Sequence, residues 1–288
     1  MNREVCVISG GGSGIGLAAA RYMSKEKVIV LSGRTARKLE NAAQELSALG
    51  FEVQTHTCDI SDRSSVERLA EFSASLGEIR NVINSAGMSP SMSDAEKIIR
   101  VNALGTVYMN STFVKYMKPG SVIIDVASNS AYSLPALLIP ERVYPLALED
   151  EDRFVRKLVS RSGIAGRGYE KAGLAYAFSK NFVIWYAKYC AFQYGRQSIR
   201  VASLSPGLID TGMGRMEASH GGRLIEMSAE ERMGRPEELG FALAMLADER
   251  NGYLSGVDVL VDGGSVSGMK WRKKFLKRTN INGFDSGS

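Results

Sequence analysis

The chain is poor in the residues that carry metal and disulfide chemistry. It has two histidines and three cysteines in 288 residues. His56 and His220 share no ligand spacing, and Cys6, Cys58 and Cys190 form no CxxC pair. An odd number of scattered thiols reads as buried, neutral cysteines rather than a disulfide framework or a metal centre. Long apolar runs are also missing, since none approaches the roughly 20 residues a membrane span needs. The start, MNREVCVISG, enters a strand directly and lacks a signal-peptide layout, so a soluble cytoplasmic protein is expected. Charge of one sign is scarce as well: 36 Lys and Arg face 31 Asp and Glu, a net +5. Lys270, Arg272, Lys273, Lys274, Lys277 and Arg278, opposed only by Asp285, account for all of that excess. Residues 1–269 are therefore neutral, which argues against nucleic-acid binding as the main function.

What the chain does have is alternation. Apolar, β-rich runs at 5–9, 28–32, 51–56, 81–84, 121–128, 199–205 and 257–263 read as strands. Several are apolar on both faces, as a buried parallel sheet requires. Helical periodicity falls between them, near 15–25, 36–49, 62–76, 94–117, 174–194 and 236–247. The reading is one α/β domain over 1–269 with a Rossmann-type, doubly wound parallel sheet, followed by a basic tail at 270–288. An insertion at about 133–173 interrupts the alternation. Within it LEDEDRFVRKLVSRSG reads as a helix, with acids first, basic residues later, Gly163 as stop and Phe154, Val155, Leu158 and Val159 on one face.

The first strand runs into Ser9-Gly10-Gly11-Gly12-Ser13-Gly14-Ile15-Gly16 and then a helix. A glycine turn lets the backbone approach a pyrophosphate, and the helix N-terminus supplies free N–H groups. A glycine-rich stretch alone could be only a flexible turn, but between a first strand and a first helix it implies a dinucleotide site. The second strand ends Ser32-Gly33-Arg34-Thr35, without the acid that would bind a ribose 2′-hydroxyl. Arg34 is placed for a 2′-phosphate, with Arg37 and Lys38 close behind, so NADP is the preferred cofactor and NAD stays open.

With further motifs in order, the chain resembles the short-chain dehydrogenase/reductase family over residues 5–264. SGGGSGIG matches its glycine motif. Asp59, with Ile60 beside it, matches the acid that touches adenine. Asn84-Ser85-Ala86-Gly87 matches the Asn-Asn-Ala-Gly motif, with serine in place of the second asparagine. Asn102 in RVNALG, Ser128 in DVASNS, and Tyr176 with Lys180 match the catalytic positions, and Pro206-Gly207-Leu208-Ile209-Asp210-Thr211 matches the motif around the nicotinamide. The resemblance implies that Ser9, Gly10, Gly12, Ser13, Gly14, Ile15, Gly16, Arg34, Asp59, Ile60, Asn84, Ala86, Gly87, Tyr176, Lys180, Pro206, Gly207, Ile209 and Thr211 hold the cofactor. It also implies that Ser128, Tyr176, Lys180 and Asn102 interconvert a secondary alcohol and a ketone without a metal.

The residues themselves support that chemistry. Tyr176 and Lys180, four apart, project from one helix face. A nearby ammonium is expected to lower the tyrosine's pKa, letting it exchange a proton with the substrate oxygen. Ser128 would fix that oxygen, although Ser130 and Ser133 lie close by. By the resemblance, Lys180 would hold the nicotinamide ribose and Asn102 would hold a water linking the lysine to solvent.

Two features depart from the family. Asn84 and Asn102 are only 18 residues apart, and Ser128 and Tyr176 are 48 apart. The insertion is expected either to act as a lid, with LPALLIP (134–140) lining an apolar pocket, or to be an oligomer surface. The pattern is similar to bacterial 3α-hydroxysteroid dehydrogenase/carbonyl reductases, which implies a bulky apolar alcohol or ketone. Met213 and Met216 could line a pocket or simply pack. The tail carries Trp271, Phe275 and Leu276 among cations. It reads first as solubilising, then as a membrane-surface or inter-subunit contact. A homodimer or homotetramer is expected. The competing functions are a non-catalytic NADP-binding regulator and a 3-oxoacyl thioester reductase.

Overall fold

In the computed structural model, residues 3–220, 225, 228–269 and 271 are described. The described tail is thus Trp271 alone, so the reading of the rest of 270–288 lies outside the described residues, as does the His220 side chain.

The expected alternation is present as one parallel sheet. Its strands are β1 (Glu4–Ser9), β2 (Val28–Gly33), β3 (Glu52–Thr57), β4 (Glu78–Asn84), β5 (Met117–Val126), β6 (Arg200–Pro206) and β7 (Asp258–Val261), ordered 3-2-1-4-5-6-7. All six strand pairings are parallel. The winding reverses between β1 and β4, and a sheet of this kind binds ligands at the carboxyl ends beside such a switch point.

The alternating faces of the strands build two cores. Val5, Val7, Val28, Val30 and Val82 face α3 (Arg63–Leu76), α4 (Ala95–Ile99), α5 (Gly105–Phe113) and the long α8 (Gly168–Tyr194). Cys6, Ile8, Ile29, Leu31 and Ile83 face α1 (Gly14–Ala20), α2 (Ala36–Ala48) and α10 (Pro236–Ala247). The period of two within each strand separates the two sets. All three thiols are free and buried, and burial pushes Cys6 and Cys190 up to about 12 and Cys58 up to about 11. They are neutral core residues, as their scatter implied.

Several boundaries differ from the expected ones. The single helix expected over 94–117 is broken: α4 passes through a π-turn at Arg100–Leu104 before α5, and β5 already begins at Met117. The expected strand over 121–128 stops at Val126, leaving Ser128 as the cap of a short 3-10 turn, where its side chain accepts the Ser130 N–H. A helix not foreseen, α9 (Gly212–His220), follows β6.

The insertion ends sooner than expected and does not form the expected substrate wall. It contains α6 (Leu146–Glu149) and α7 (Glu151–Ser162), and α8 has begun by Gly168. Asp150 breaks the expected single helix and caps α7 by accepting the Arg153 N–H at 2.9 Å. Phe154, Val155 and Leu158 bury against the sheet-facing helices, with the Phe154 ring 5.0 Å from Phe182 of α8. Glu151 pairs with Arg63, and Asp152 with Arg100. The insertion therefore adds an outer layer over α4, α5 and α8. The expected apolar wall at 134–140 is not part of the cleft: Leu137 is 95% and Leu138 45% exposed, on the outside of a short turn. The apolar face that mattered lies later, in α7.

Candidate active site

The carboxyl ends of β1, β4, β5 and β6 open into one cleft of about 1160 Å³. That exceeds the usual range of about 300–1,000 Å³ for a small-ligand pocket, and so suits a dinucleotide together with a second molecule.

One wall is the glycine turn after β1. Gly10 and Gly14 adopt φ of +69° and +60°, where a side chain is strained. A Cβ on Gly10 would stand 2.9 Å from the Ala86 nitrogen, and one on Gly16 2.7 Å from the Gly10 carbonyl oxygen. Gly12, Ser13, Gly14 and Ile15 face the cleft, and Ser13 places no side-chain cap on the first turn of α1. This backbone cradle fits the pyrophosphate of a dinucleotide.

Just past the end of β3 the cleft is lined by Asp59 and Ile60, with Asp59 Oδ1 accepting the Ser61 hydroxyl at 2.6 Å. Arg34 and Lys38 line it too, whereas Arg37 is not among the lining residues. Arg21, not singled out from sequence, also lines the cleft while pairing with Glu45 and Glu237. Ala86, Gly87, Pro206, Gly207, Ile209 and Thr211 line the cleft as well.

Three expected site residues stand behind the wall instead of on it. Ser9 is fully buried, and its hydroxyl donates to Asn84 Oδ1 at 2.8 Å and accepts the Ala86 N–H at 3.2 Å. Asn84, 3% exposed, extends a buried network through its Nδ2 to Asp125. The serine that replaces the family's second asparagine has a partner of its own: Ser85 Oγ donates to the Ser9 carbonyl at 2.5 Å and ties β4 to β1. Asn102 is the third. Its Oδ1 accepts the Met88 N–H at 2.8 Å, and its Nδ2 donates to the Met88 carbonyl at 2.9 Å and to Ser179 Oγ at 3.2 Å. The π-turn sets this position, and Thr106 caps the loosened Asn102 carbonyl at 2.8 Å.

Ser128, Tyr176 and Lys180 converge on the cleft. Lys180 Nζ lies 5.9 Å from the Tyr176 ring centre and donates to the Val126 carbonyl at 2.8 Å. Burial pushes the Lys180 ammonium down to about 8, opposed by the Asp125 carboxylate. Asp125, fully buried, accepts from Asn110 at 2.7 Å and from Asn84, yet burial still lifts it to about 7.

Tyr176 departs from the expected direction. Its pKa lies above the ordinary tyrosine value, because burial outweighs the hydrogen bond from Ser128, and the Glu217 charge adds to the rise. Lys180 Nζ, 5.9 Å from the ring centre, does not reverse that rise.

The mouth of the cleft carries residues that sequence reasoning passed over or left open. Met213 and Met216 of α9 do line it, joined by Met88, Met92 and Met269. Glu217 of α9 accepts the Ser91 N–H at 3.1 Å and the Tyr169 hydroxyl at 2.9 Å. Burial works against its charge, but the hydrogen bonds from Ser89, Ser91 and Tyr169 win and hold it below the usual range. Asp125 had a visible signal, a lone acid inside the apolar strand SVIIDVAS.

This arrangement has relatives. A family model described as short chain dehydrogenase matches residues 4–138, and one described as Enoyl-(Acyl carrier protein) reductase matches 147–266. The chain belongs to the short-chain dehydrogenase/reductase family. It is 26% identical to the meso-2,3-butanediol dehydrogenase of Serratia marcescens, over 92% of this chain and 96% of that protein. It is 27% identical to the 3beta-hydroxysteroid dehydrogenase 2 of Eggerthella lenta, over 91% of this chain and 94% of that one. Among solved structures, a short chain dehydrogenase from Burkholderia cenocepacia in complex with NADP shares the fold at a TM-score of 0.72 and 18% identity, covering 91% of this chain and 97% of that one. As a short-chain dehydrogenase/reductase, the chain is an oxidoreductase with a nicotinamide-cofactor fold acting on small molecules. Among the described residues, no helix is long and apolar enough to cross a membrane.

Proposed function

We propose that this enzyme uses NADP to interconvert a bulky, apolar secondary alcohol and its ketone. The observation that carries the reading is the meeting of Ser128, Tyr176 and Lys180 in the same cleft as the glycine cradle. The cofactor supplies a hydride to the carbonyl carbon, or accepts one from the alcohol. The chain does the rest. Ser128 and the Tyr176 hydroxyl hold the substrate oxygen, and Tyr176 gives its proton to that oxygen as the new C–H bond forms. Its raised pKa suits that donor role. Lys180 holds the ribose side, anchored by its hydrogen bond to the Val126 carbonyl. Asn102 is a positioning residue, fixing the Met88 backbone behind the site.

NADP is favoured over NAD because Arg34 and Lys38 line the adenosine end and no acid closes β2. The bulky, apolar substrate rests on the size of the cleft and on its methionine-rich mouth. We take the working form to be a homodimer or homotetramer, supported by the exposed Phe241 and Met245 of α10 and by Tyr253 before β7.

The test is oxidation of NADPH and NADH with ketones from small carbonyls to 3-ketosteroids, on wild type and Tyr176→Phe. The reading expects NADPH-dependent turnover that grows with ketone size and is lost in the variant. Tight NADPH binding with no turnover on any carbonyl would favour a regulator instead.

A further inference from the structure

Helix α8 turns three residues toward the cleft: Gly173, Tyr176 and Lys180. Spacings of three and four place them on one face. Lys180 stands at the cofactor end of that face and Tyr176 at the reacting centre. Gly173 lies one turn further, away from the cofactor and toward the mouth.

A glycine inside a helix calls for a reason, because only proline is less favourable there. The other glycines within the described helices have one. A Cβ on Gly16 would stand 2.7 Å from the Gly10 carbonyl oxygen, on Gly105 2.8 Å from Ile60 Cδ1, and on Gly240 2.6 Å from the Ala18 backbone. On Gly214 it would collide with the Ile209 carbonyl. Gly14, Gly168 and Gly212 open their helices. Gly173 has none of these reasons. Its φ is not left-handed, it sits five residues into α8, and an added Cβ would meet nothing within 4 Å among the described residues. Neither backbone conformation nor packing in the free protein demands glycine here. What a side chain would fill is the cleft itself, which Met213 and Met216 of α9 also line.

We propose that Gly173 is a specificity-determining residue: the missing side chain leaves room beside Tyr176 for the larger, apolar substituent of the substrate carbonyl. This rests on the oxidoreductase reading above and adds to it where the bulk of the substrate lies. The helix gives up stability at this position, and the substrate fills the space.

The test uses Gly173→Ala and Gly173→Leu in the full chain. Three quantities are measured: thermal stability, NADPH affinity by fluorescence titration, and kcat/KM for a small methyl ketone and a fused-ring ketone. Gly173→Ala should raise Tm by roughly 2–3 °C, as glycine removal from a helix does in a domain of this size. The ratio of kcat/KM for the fused-ring ketone to that for the small ketone should fall about 10-fold with alanine and further with leucine, through KM. NADPH affinity should not move. Equal losses on both ketones would mean that the position acts through Tyr176, and would overturn the proposal. An unchanged ratio in Gly173→Leu would overturn it too. If the wild type turns over small carbonyls but no fused-ring ketone, the bulky-substrate reading fails by itself. The Gly173 proposal then stands or falls on whether leucine shifts preference toward the smaller of two small carbonyls.

Discussion

The glycine turn after β1 and the insertion before α8 both adjoin catalytic motifs in the sequence, but only the turn follows the cleft along its length, while the insertion touches it at Ser133 alone. The turn from Gly10 to Gly16 shapes its wall with bare backbone, and Gly10 and Gly16 lie against Ala86 and Ser85 at distances that leave no room for a Cβ. The insertion starts at Ser133, which lines the cleft, and then leaves it, placing Phe154, Val155 and Leu158 under an outer helix instead. The difference teaches that a segment lying between two catalytic residues need not touch the substrate. Where its apolar face points decides its role. One region serves the chemistry, and the other supports the helix that carries Tyr176 and Lys180.

Four variants would break or sharpen that contrast. Replacing Tyr176 with phenylalanine acts at the chemical end. It should lower kcat by about 10²–10⁴-fold, the typical worth of a positioned proton donor, with NADPH affinity retained in a fluorescence titration. Phe154→Ala acts at the structural end, where the ring is fully buried against Phe182. It should cost about 3–5 kcal/mol in urea unfolding, while kcat of the folded fraction stays near wild type. Arg34→Ala probes the cofactor end. It should raise KM for NADPH roughly 10-fold and leave NADH little changed, as loss of a charged hydrogen bond to a 2′-phosphate would.

The smallest effect belongs to Asp125→Asn. The folded pKa of Asp125 is raised from 3.8 to about 7 by burial. A raised acid favours the protonated fold, so wild-type stability is fullest below the unfolded value and falls as pH climbs through about 7. The variant should lose that fall in denaturation curves taken between pH 4 and 8. The Asp125 charge also props up the Lys180 pKa, which sits at about 8. Removing it should move the alkaline limb of the kcat/KM profile to lower pH.

Much of this was legible in the sequence. Strand–helix alternation and runs apolar on both faces require a parallel sheet, and the motif order placed Tyr176, Lys180 and Ser128 together. What escaped depended on side chains meeting across the fold. Ser9 and Asn84 look like cofactor ligands by motif, yet they face each other behind the wall. The tyrosine–lysine spacing gave the shared face but not the balance between burial and charge, so the direction of the Tyr176 pKa came out reversed. The break at Arg100–Leu104 is followed by Gly105, but a lone glycine inside an apolar run did not mark it, and the π-turn is held by Asn102 and Thr106. LPALLIP is apolar in composition, but composition does not say which side of a turn faces out.

The measurement closest to the central claim is a single-turnover experiment with NADPH and a ketone that the wild type reduces, run on wild type, Tyr176→Phe and Phe154→Ala at equal folded concentration. The account predicts hydride transfer slowed by orders of magnitude in Tyr176→Phe and unchanged in Phe154→Ala. Transfer that survives the loss of the Tyr176 hydroxyl, or that fails in folded Phe154→Ala, would contradict the division between a chemical cleft and a structural insertion.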